Sequence, residues 1–162
     1  MNGPNYTPPS RIDDLLCFLV HSTGAAFNRS FRRPLERLGL TYPQHLVMLT
    51  LWAHDGLTVG EIGDRLRQDS NTLTPLLKRM EELGHVTRTR CTLDERRVIV
   101  RLTESGRRLQ ADVGDVLGCV RNSIGLDEAE MLDLMNRLRS LRDNLEAAAE
   151  LAGVETAESQ RG

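Results

Sequence analysis

The chain has few aromatic residues, 4% of 162 positions, and nowhere do 18 apolar residues follow one another. The first scarcity speaks against a β-sandwich, whose core leans on aromatic and β-branched side chains. The second excludes a hydrophobic run long enough to span a bilayer. No basic N-terminal region followed by an apolar run is present, so a soluble, cytoplasmic protein with no membrane partner is expected. The three cysteines, Cys17, Cys91 and Cys119, make no CxxC pair, which suits neither a secreted disulfide framework nor a zinc site. His45, His54 and His85 show no metal-ligand spacing, so neither a metal nor a cofactor is expected. P-loop, GxGxxG and nucleophile-elbow motifs are missing, and with them the grounds for expecting an enzyme.

What is present is 40% hydrophobic content, rich in Leu, with abundant Arg and Glu, enough for one packed and mainly helical domain over residues 1–162. The net charge of -2 argues against a globally basic nucleic-acid binder but leaves room for a local basic patch.

Residues 1–9, with three prolines, read as a flexible arm. Ser10 and Asp13 resemble a capping box opening a first helix, whose Ile12, Leu15, Leu16, Leu19, Val20, Thr23, Ala26 and Phe27 form an apolar stripe expected to face the core. A second row, Cys17, His21, Gly24, Asn28, Phe31 and Leu35, flanks it and suggests an interface or pocket. Pro34 kinks or ends this helix, and Pro43 suits the first turn of a second one, about His45 to Ala53. Thr58 and Glu61 cap a short helix ending near Arg67; Asp69 or Ser70 caps the next, which Gly84 stops and Pro75 disturbs. After Gly84 the period switches to alternation, Val86, Arg88, Arg90 and then Val98, Val100, Leu102, which is a β-hairpin. Thr103 and Glu104 open a helix to about Asn122, and a last helix, Asp127 to about Ala149, carries Met131, Leu134, Leu138, Leu141 and Leu145 before a frayed end.

Helix, short helix, turn, helix, hairpin is the order of a winged helix-turn-helix, here residues 41–103. The flanking helices, 10–40 and 104–149, have no evident place to bury their stripes within one chain, so they are expected to make a homodimer. The fold class is therefore mainly α (α+β): a winged helix-turn-helix with long N- and C-terminal dimerisation helices. Ser70, Asn71, Thr72 and Thr74 crowd the start of the presumptive recognition helix, with Lys78 and Arg79 further along, where base edges and phosphates are met. The hairpin adds Arg88, Arg90, Arg96, Arg97 and Arg101 against only Asp94 and Glu95. Alone, such a cluster reads as an ordinary solvated hairpin; beside a recognition helix it reads as a DNA-binding wing.

Asp94 to Thr103, DERRVIVRLT, resembles the DxRxxxxxLT wing signature of the MarR family of transcriptional regulators, and Thr72 to Glu81, TLTPLLKRME, resembles its recognition helix. The resemblance covers roughly Leu15 to Leu145. It implies a dimeric repressor on double-stranded DNA, with Asp94 orienting Arg96 into the minor groove and recognition helices in successive major grooves of a palindromic operator.

Leu16-Cys17-Phe18-Leu19 and Leu40-Thr41-Tyr42-Pro43-Gln44 further resemble the organic hydroperoxide resistance regulators, OhrR. The resemblance implies that Cys17 is oxidised to a sulfenic acid by an organic hydroperoxide, the inducer, and that DNA is then released. On the residues alone, Cys17 reads either as a reactive thiol off the main stripe or as an inert packed side chain, the commoner fate of an unpaired cysteine. In the OhrR pattern two tyrosines bond the thiolate; here the matching positions hold His21 and Phe31, and Tyr42 alone survives of the usual tyrosines. Cys119 roughly matches the second cysteine of two-cysteine members, which implies a resolving thiol joined to Cys17 of a second subunit; it reads equally as inert. Cys91, on the wing, matches no family motif. Two other readings stay open: a regulator that binds a small phenolic or other apolar acid, and a thiol peroxidase or redox-interaction protein.

Overall fold

A computed structural model describes residues 11–91, 94 and 96–159, with side chains to Leu151. The arm at residues 1–9, the Ser10 cap and Glu95 of the wing lie outside the described residues. The chain divides into two compact units after Asn122.

The first unit begins with a 3₁₀ turn, Ile12–Asp14, followed by α1 (Leu16–Glu36) and α2 (Tyr42–Ala53). Next come strand β1 (Leu57–Thr58), α3 (Val59–Leu66) and α4 (Ser70–Glu82). Strands β2 (Val86–Arg90) and β3 (Val98–Leu102) form the hairpin, and α5 (Glu104–Arg108) and α6 (Gln110–Ile124) follow it. In the second unit α7 spans Glu128–Ser159. The sheet is antiparallel in the order β1-β3-β2, with Val86 opposite Leu102, Arg90 opposite Val98 and Leu57 opposite Val100.

The helices start where local chemistry allows. Thr41 and Gln44 form a capping box on α2, with the Gln44 carboxamide oxygen 2.8 Å from the Thr41 N–H and Pro43 in the first turn. Thr58 and Glu61 do the same for α3, and the Thr58 hydroxyl and amide together hold the Glu61 carboxyl below its ordinary range. Pro75 sits inside α4 without ending it. The tight link from α3 to α4 puts Arg67 in the left-handed region at φ 54, and a Cβ on Gly63 would lie 2.6 Å from the Gln68 carbonyl, so that position admits only glycine.

The core is the meeting of α2, α3, α4 and the sheet with the end of α1. Leu35, Val47, Met48, Leu51, Ile62, Leu73, Leu77, Met80 and Val100 are fully buried there. Val116 and Val120 of α6 join the same cluster.

Four expectations are corrected. The first helix starts at Leu16 rather than Ser10, because Leu15 is extended between the 3₁₀ turn and α1. The stripe expected to be core is exposed: Leu16 is 59% and Val20 45% accessible, while Phe31 and Leu35 of the flanking row are the buried residues of α1. The helix after the wing is broken at Leu109, which packs against the core where α5 ends and α6 begins. The last helix does not fray near Ala149 but runs to Ser159, in keeping with the helix-forming run Ala147 to Leu151. Strand β1 was not foreseen, two residues being too few to show an alternation.

Candidate nucleic-acid interface

The candidate DNA-facing surface is built from the first turns of α4 and the wing. Asp69 caps α4 by accepting the Thr72 N–H at 2.9 Å, and its carboxyl is held below the ordinary range chiefly by that bond. Ser70, Asn71, Thr72, Thr74, Lys78 and Arg79 are all exposed on α4, while Leu73, Leu77 and Met80 face inward. Three of these polar groups are engaged locally: the Thr72 hydroxyl donates to the Asp69 carboxylate at 3.4 Å, the Thr74 hydroxyl donates to the Ser70 carbonyl at 2.6 Å, and Arg79 pairs with Glu82 at 3.1 Å.

The wing turn is closed by Asp94. Its carboxylate accepts the Arg96 N–H at 3.1 Å, its carbonyl accepts the Arg97 N–H at 2.9 Å, and the Cys91 N–H reaches the Arg97 carbonyl at 2.8 Å. The aspartate thus shapes the backbone that presents Arg96, and Arg90, Arg96 and Arg97 are exposed around it.

Arg88 behaves differently from the other wing arginines. Its backbone N–H and Nε each lie 2.9 Å from a carboxylate oxygen of Glu81, and Nη2 completes the ion pair at 2.9 Å. The Glu81 carboxyl is held low mainly by this partner. Arg88 therefore fastens the hairpin to α4 and is not offered outward.

Further groups anchor the wing to the helices on either side of it. The Asp55 carboxylate accepts the N–H groups of Gly56 and Leu102, both at 2.8 Å, and pairs with Arg107 at 3.0 Å. The Trp52 indole donates to the Gly106 carbonyl at 2.9 Å. Thr103 donates its hydroxyl to the Gly84 carbonyl at 2.6 Å and caps α5 by accepting the Gly106 N–H at 3.0 Å. A Cβ on Gly106 would collide with the His85 carbonyl, which is why the helix can pass so close to the wing base. The Asp55-Gly56 dipeptide was a legible turn signal; the distance in sequence to its partners was not.

The thiol-centred residues are not gathered in one chain. Cys17 is the second residue of α1 and exposed, with His21 exposed one turn on. Phe31 is buried against half-buried Tyr42, ring centroids 4.8 Å apart, and against His45 at 5.7 Å. Fourteen residues of helix separate Cys17 from Phe31, about 21 Å along the axis. His45, 1% accessible, has no hydrogen-bond partner on either ring nitrogen among the described residues, and burial pushes its pKa down. Cys119 is exposed on α6, and Cys91 is half-buried at the wing. Among the described residues there is no cluster of His, Cys, Asp and Glu able to hold a metal ion, and no helix is long and apolar enough to cross a membrane.

A helix-turn-helix whose second helix presents polar side chains, followed by a hairpin tipped with arginines, defines a winged-helix DNA-binding regulator. Comparison with known proteins agrees: residues 30–113 match the model of the transcriptional regulator SarA/Rot family. The chain belongs to that family of MarR-like winged-helix transcriptional regulators. It is 46% identical over 141 residues to the HTH-type transcriptional regulator TtmR of Methylorubrum extorquens, covering 87% of this chain and 72% of that one. The organic hydroperoxide resistance transcriptional regulator of Bacillus subtilis is 39% identical over 136 residues, 84% of this chain and 90% of its own. Among solved structures, reduced AbfR bound to DNA superposes with a TM-score of 0.71 at 34% identity, over 82% of this chain and 90% of AbfR. These relatives are regulators and DNA-binding proteins rather than enzymes.

Proposed function

We propose that this regulator is a homodimeric repressor that grips a palindromic operator and releases it when Cys17 is oxidised by an organic hydroperoxide. The observation that carries the reading is the place of Cys17, exposed in the first turn of α1, together with the likeness to a regulator named for organic hydroperoxide resistance. The first-turn N–H groups of a helix favour an anion nearby, and among the described residues no side-chain cap bond from Leu15 meets those of α1. In the proposed step the Cys17 thiolate attacks one oxygen of the O–O bond. An S–O bond forms, the O–O bond breaks, and the departing alkoxide takes a proton to become an alcohol; sulfur is oxidised and the hydroperoxide reduced.

The separation of Cys17 from Phe31 and Tyr42 supports the two-chain reading. One α1 helix cannot fold back on itself, so Cys17 meets that aromatic cluster only in a second copy. The apolar stripe left exposed on α1 supplies a surface for such a copy. Ser70, Asn71, Thr72, Thr74, Lys78 and Arg79 are assigned to the major groove, and Arg90, Arg96 and Arg97 to the backbone and minor groove. Cys119 is assigned the role of second thiol, joining the sulfenic acid of the other copy. Phe31, without a hydroxyl, sets this site apart from the tyrosine-bearing pattern.

The test is fluorescence anisotropy of labelled operator DNA titrated with cumene hydroperoxide. Wild type is expected to dissociate and Cys17→Ser to stay bound; release of the variant at the wild-type dose removes Cys17 as the sensor. A non-reducing gel on Cys119→Ser reads the second thiol separately, since only wild type is expected to give a covalent dimer.

A further inference from the structure

Among the described residues two histidines carry a buried ring nitrogen without a hydrogen-bond partner, and they differ in degree. His85 leaves one nitrogen so; His45, one turn after Tyr42 on α2, leaves both. A neutral imidazole has one N–H and one bare nitrogen, and burying either unpaired is unfavourable in a way that a phenyl ring at the same place is not. Burial pushes the pKa of His45 down, so at neutral pH the ring is uncharged and its bare nitrogen is free to take a proton. A buried polar group that breaks the pairing rule in an otherwise well-packed core calls for a functional explanation.

The surroundings point to its partner. Phe31 is the common neighbour of both rings, its centroid 4.8 Å from Tyr42 and 5.7 Å from His45. It has no polar atom to offer, and among the described residues no other side chain bonds the imidazole. This is the aromatic cluster that Cys17 of a second copy is proposed to reach. Oxidation of that thiol moves one proton twice: the sulfur must lose it before attacking, and the departing alkoxide must gain one. His21, close to Cys17 on α1, is exposed to solvent and has no comparable want of a partner.

We infer that His45 carries this proton: its bare ring nitrogen takes it from the Cys17 thiol of the second copy and returns it to the departing alkoxide. Between the two transfers the thiolate attacks, an S–O bond forms and the O–O bond breaks. Sulfur ends as the sulfenic acid, the hydroperoxide as the alcohol, and His45 in the state in which it began. The Phe31 side chain, held by packing alone, tilts aside to admit the sulfur. This role rests on the proposed oxidation of Cys17 and names the residue that drives it.

The experiment mixes each full-length protein with cumene hydroperoxide, stops the reaction with N-ethylmaleimide and reads the Cys17 thiol that remains by peptide mass. His45→Phe and His45→Gln are each expected to slow Cys17 oxidation about a hundredfold, the lower end of general acid–base catalysis. Helical circular dichroism and the rate of Cys91 alkylation without hydroperoxide report that the fold is kept. Two heterodimers, isolated with a different tag on each copy, separate chemistry from packing. In the first, Cys17→Ser is paired with His45→Phe, so the single Cys17 faces an intact His45 and is expected to oxidise at the wild-type rate. In the second, wild type is paired with a copy carrying both substitutions, so the single Cys17 faces the substituted position and is expected to be slow. Wild-type rates in both His45 variants, or equal rates in the two heterodimers, overturn the assignment. Failure of the peroxide reading looks different: Cys17 of wild type then oxidises no faster than Cys91, and Cys17→Ser leaves operator DNA at the wild-type dose.

Discussion

The winged-helix region and the flanking helices use similar apolar residues for opposite ends. In the former, Ile62, Leu73, Leu77 and Val100 disappear completely from solvent. In the latter, Leu16 and Val20 of α1, and separately Leu138 and Leu145 of α7, remain open to water in a single chain. Helical periodicity marks a face that must be covered without saying by what. The region that reads DNA is self-sufficient, whereas the flanking stripes await a second surface.

The largest expected effect falls on the self-sufficient side. Leu77→Ala removes a fully buried side chain and is expected to cost about 2–5 kcal/mol in chemical denaturation, whereas Leu138→Ala should barely alter unfolding at high protein concentration and instead raise the dissociation constant of the proposed homodimer in analytical ultracentrifugation. Equal destabilisation by both would erase the contrast. Asp55→Ala ranks next, because the N–H of Leu102 and the guanidinium of Arg107 lose their acceptor; a loss of about 1–3 kcal/mol is expected by thermal denaturation.

Within the wing the comparison sharpens between two arginines. Arg96→Ala should weaken operator binding and lower the slope of log K against log salt by about one, with the melting temperature unchanged. Arg88→Ala should instead lower the melting temperature, because Glu81 loses its guanidinium partner and keeps only the backbone N–H, and affect DNA mainly through wing position. If Arg88→Ala changed only the salt slope, its structural assignment would fail.

The smallest effect concerns pH. Burial lowers the pKa of both His45 and His85 from 6.5, so the unfolded chain takes up these protons first. Their contribution to stability is complete above pH 6.5 and declines as pH falls below it, with a slope of at most about 1.4 kcal/mol per pH unit for each histidine. Denaturation midpoints at pH 7.5 and 5.5 should show a drop that His45→Phe reduces, since the ring nitrogens of His45 have no partners to lose.

Much of the reading surface was legible because its signals are short-ranged. The Thr58–Glu61 box, the Asp69 cap, the Gly84 stop and the alternation around Val86 and Val98 each lie within a few residues. Two kinds of information were not. Burial of the α1 stripe depends on surfaces that no local pattern contains, so periodicity alone assigned it to the core. The Asp55–Leu102 and Trp52–Gly106 bonds, and the turning of Arg88 to Glu81, join positions whose pairing has no periodic signature. The Cys17 motif was equally visible, as was its place on one helix with Phe31, but the packing of Phe31 against Tyr42 and His45 was not.

Thr103 follows β3 directly, donates to the Gly84 carbonyl beyond α4 and caps α5. A single hydroxyl therefore ties reader, wing and outgoing helix together at one point. Any shift of α5 against the wing must therefore stretch these bonds, so the outgoing helix and the reading helix are coupled at this point. In the proposed homodimer on two half-sites, grip would then depend on stride: two such units either step at the helical repeat or miss it.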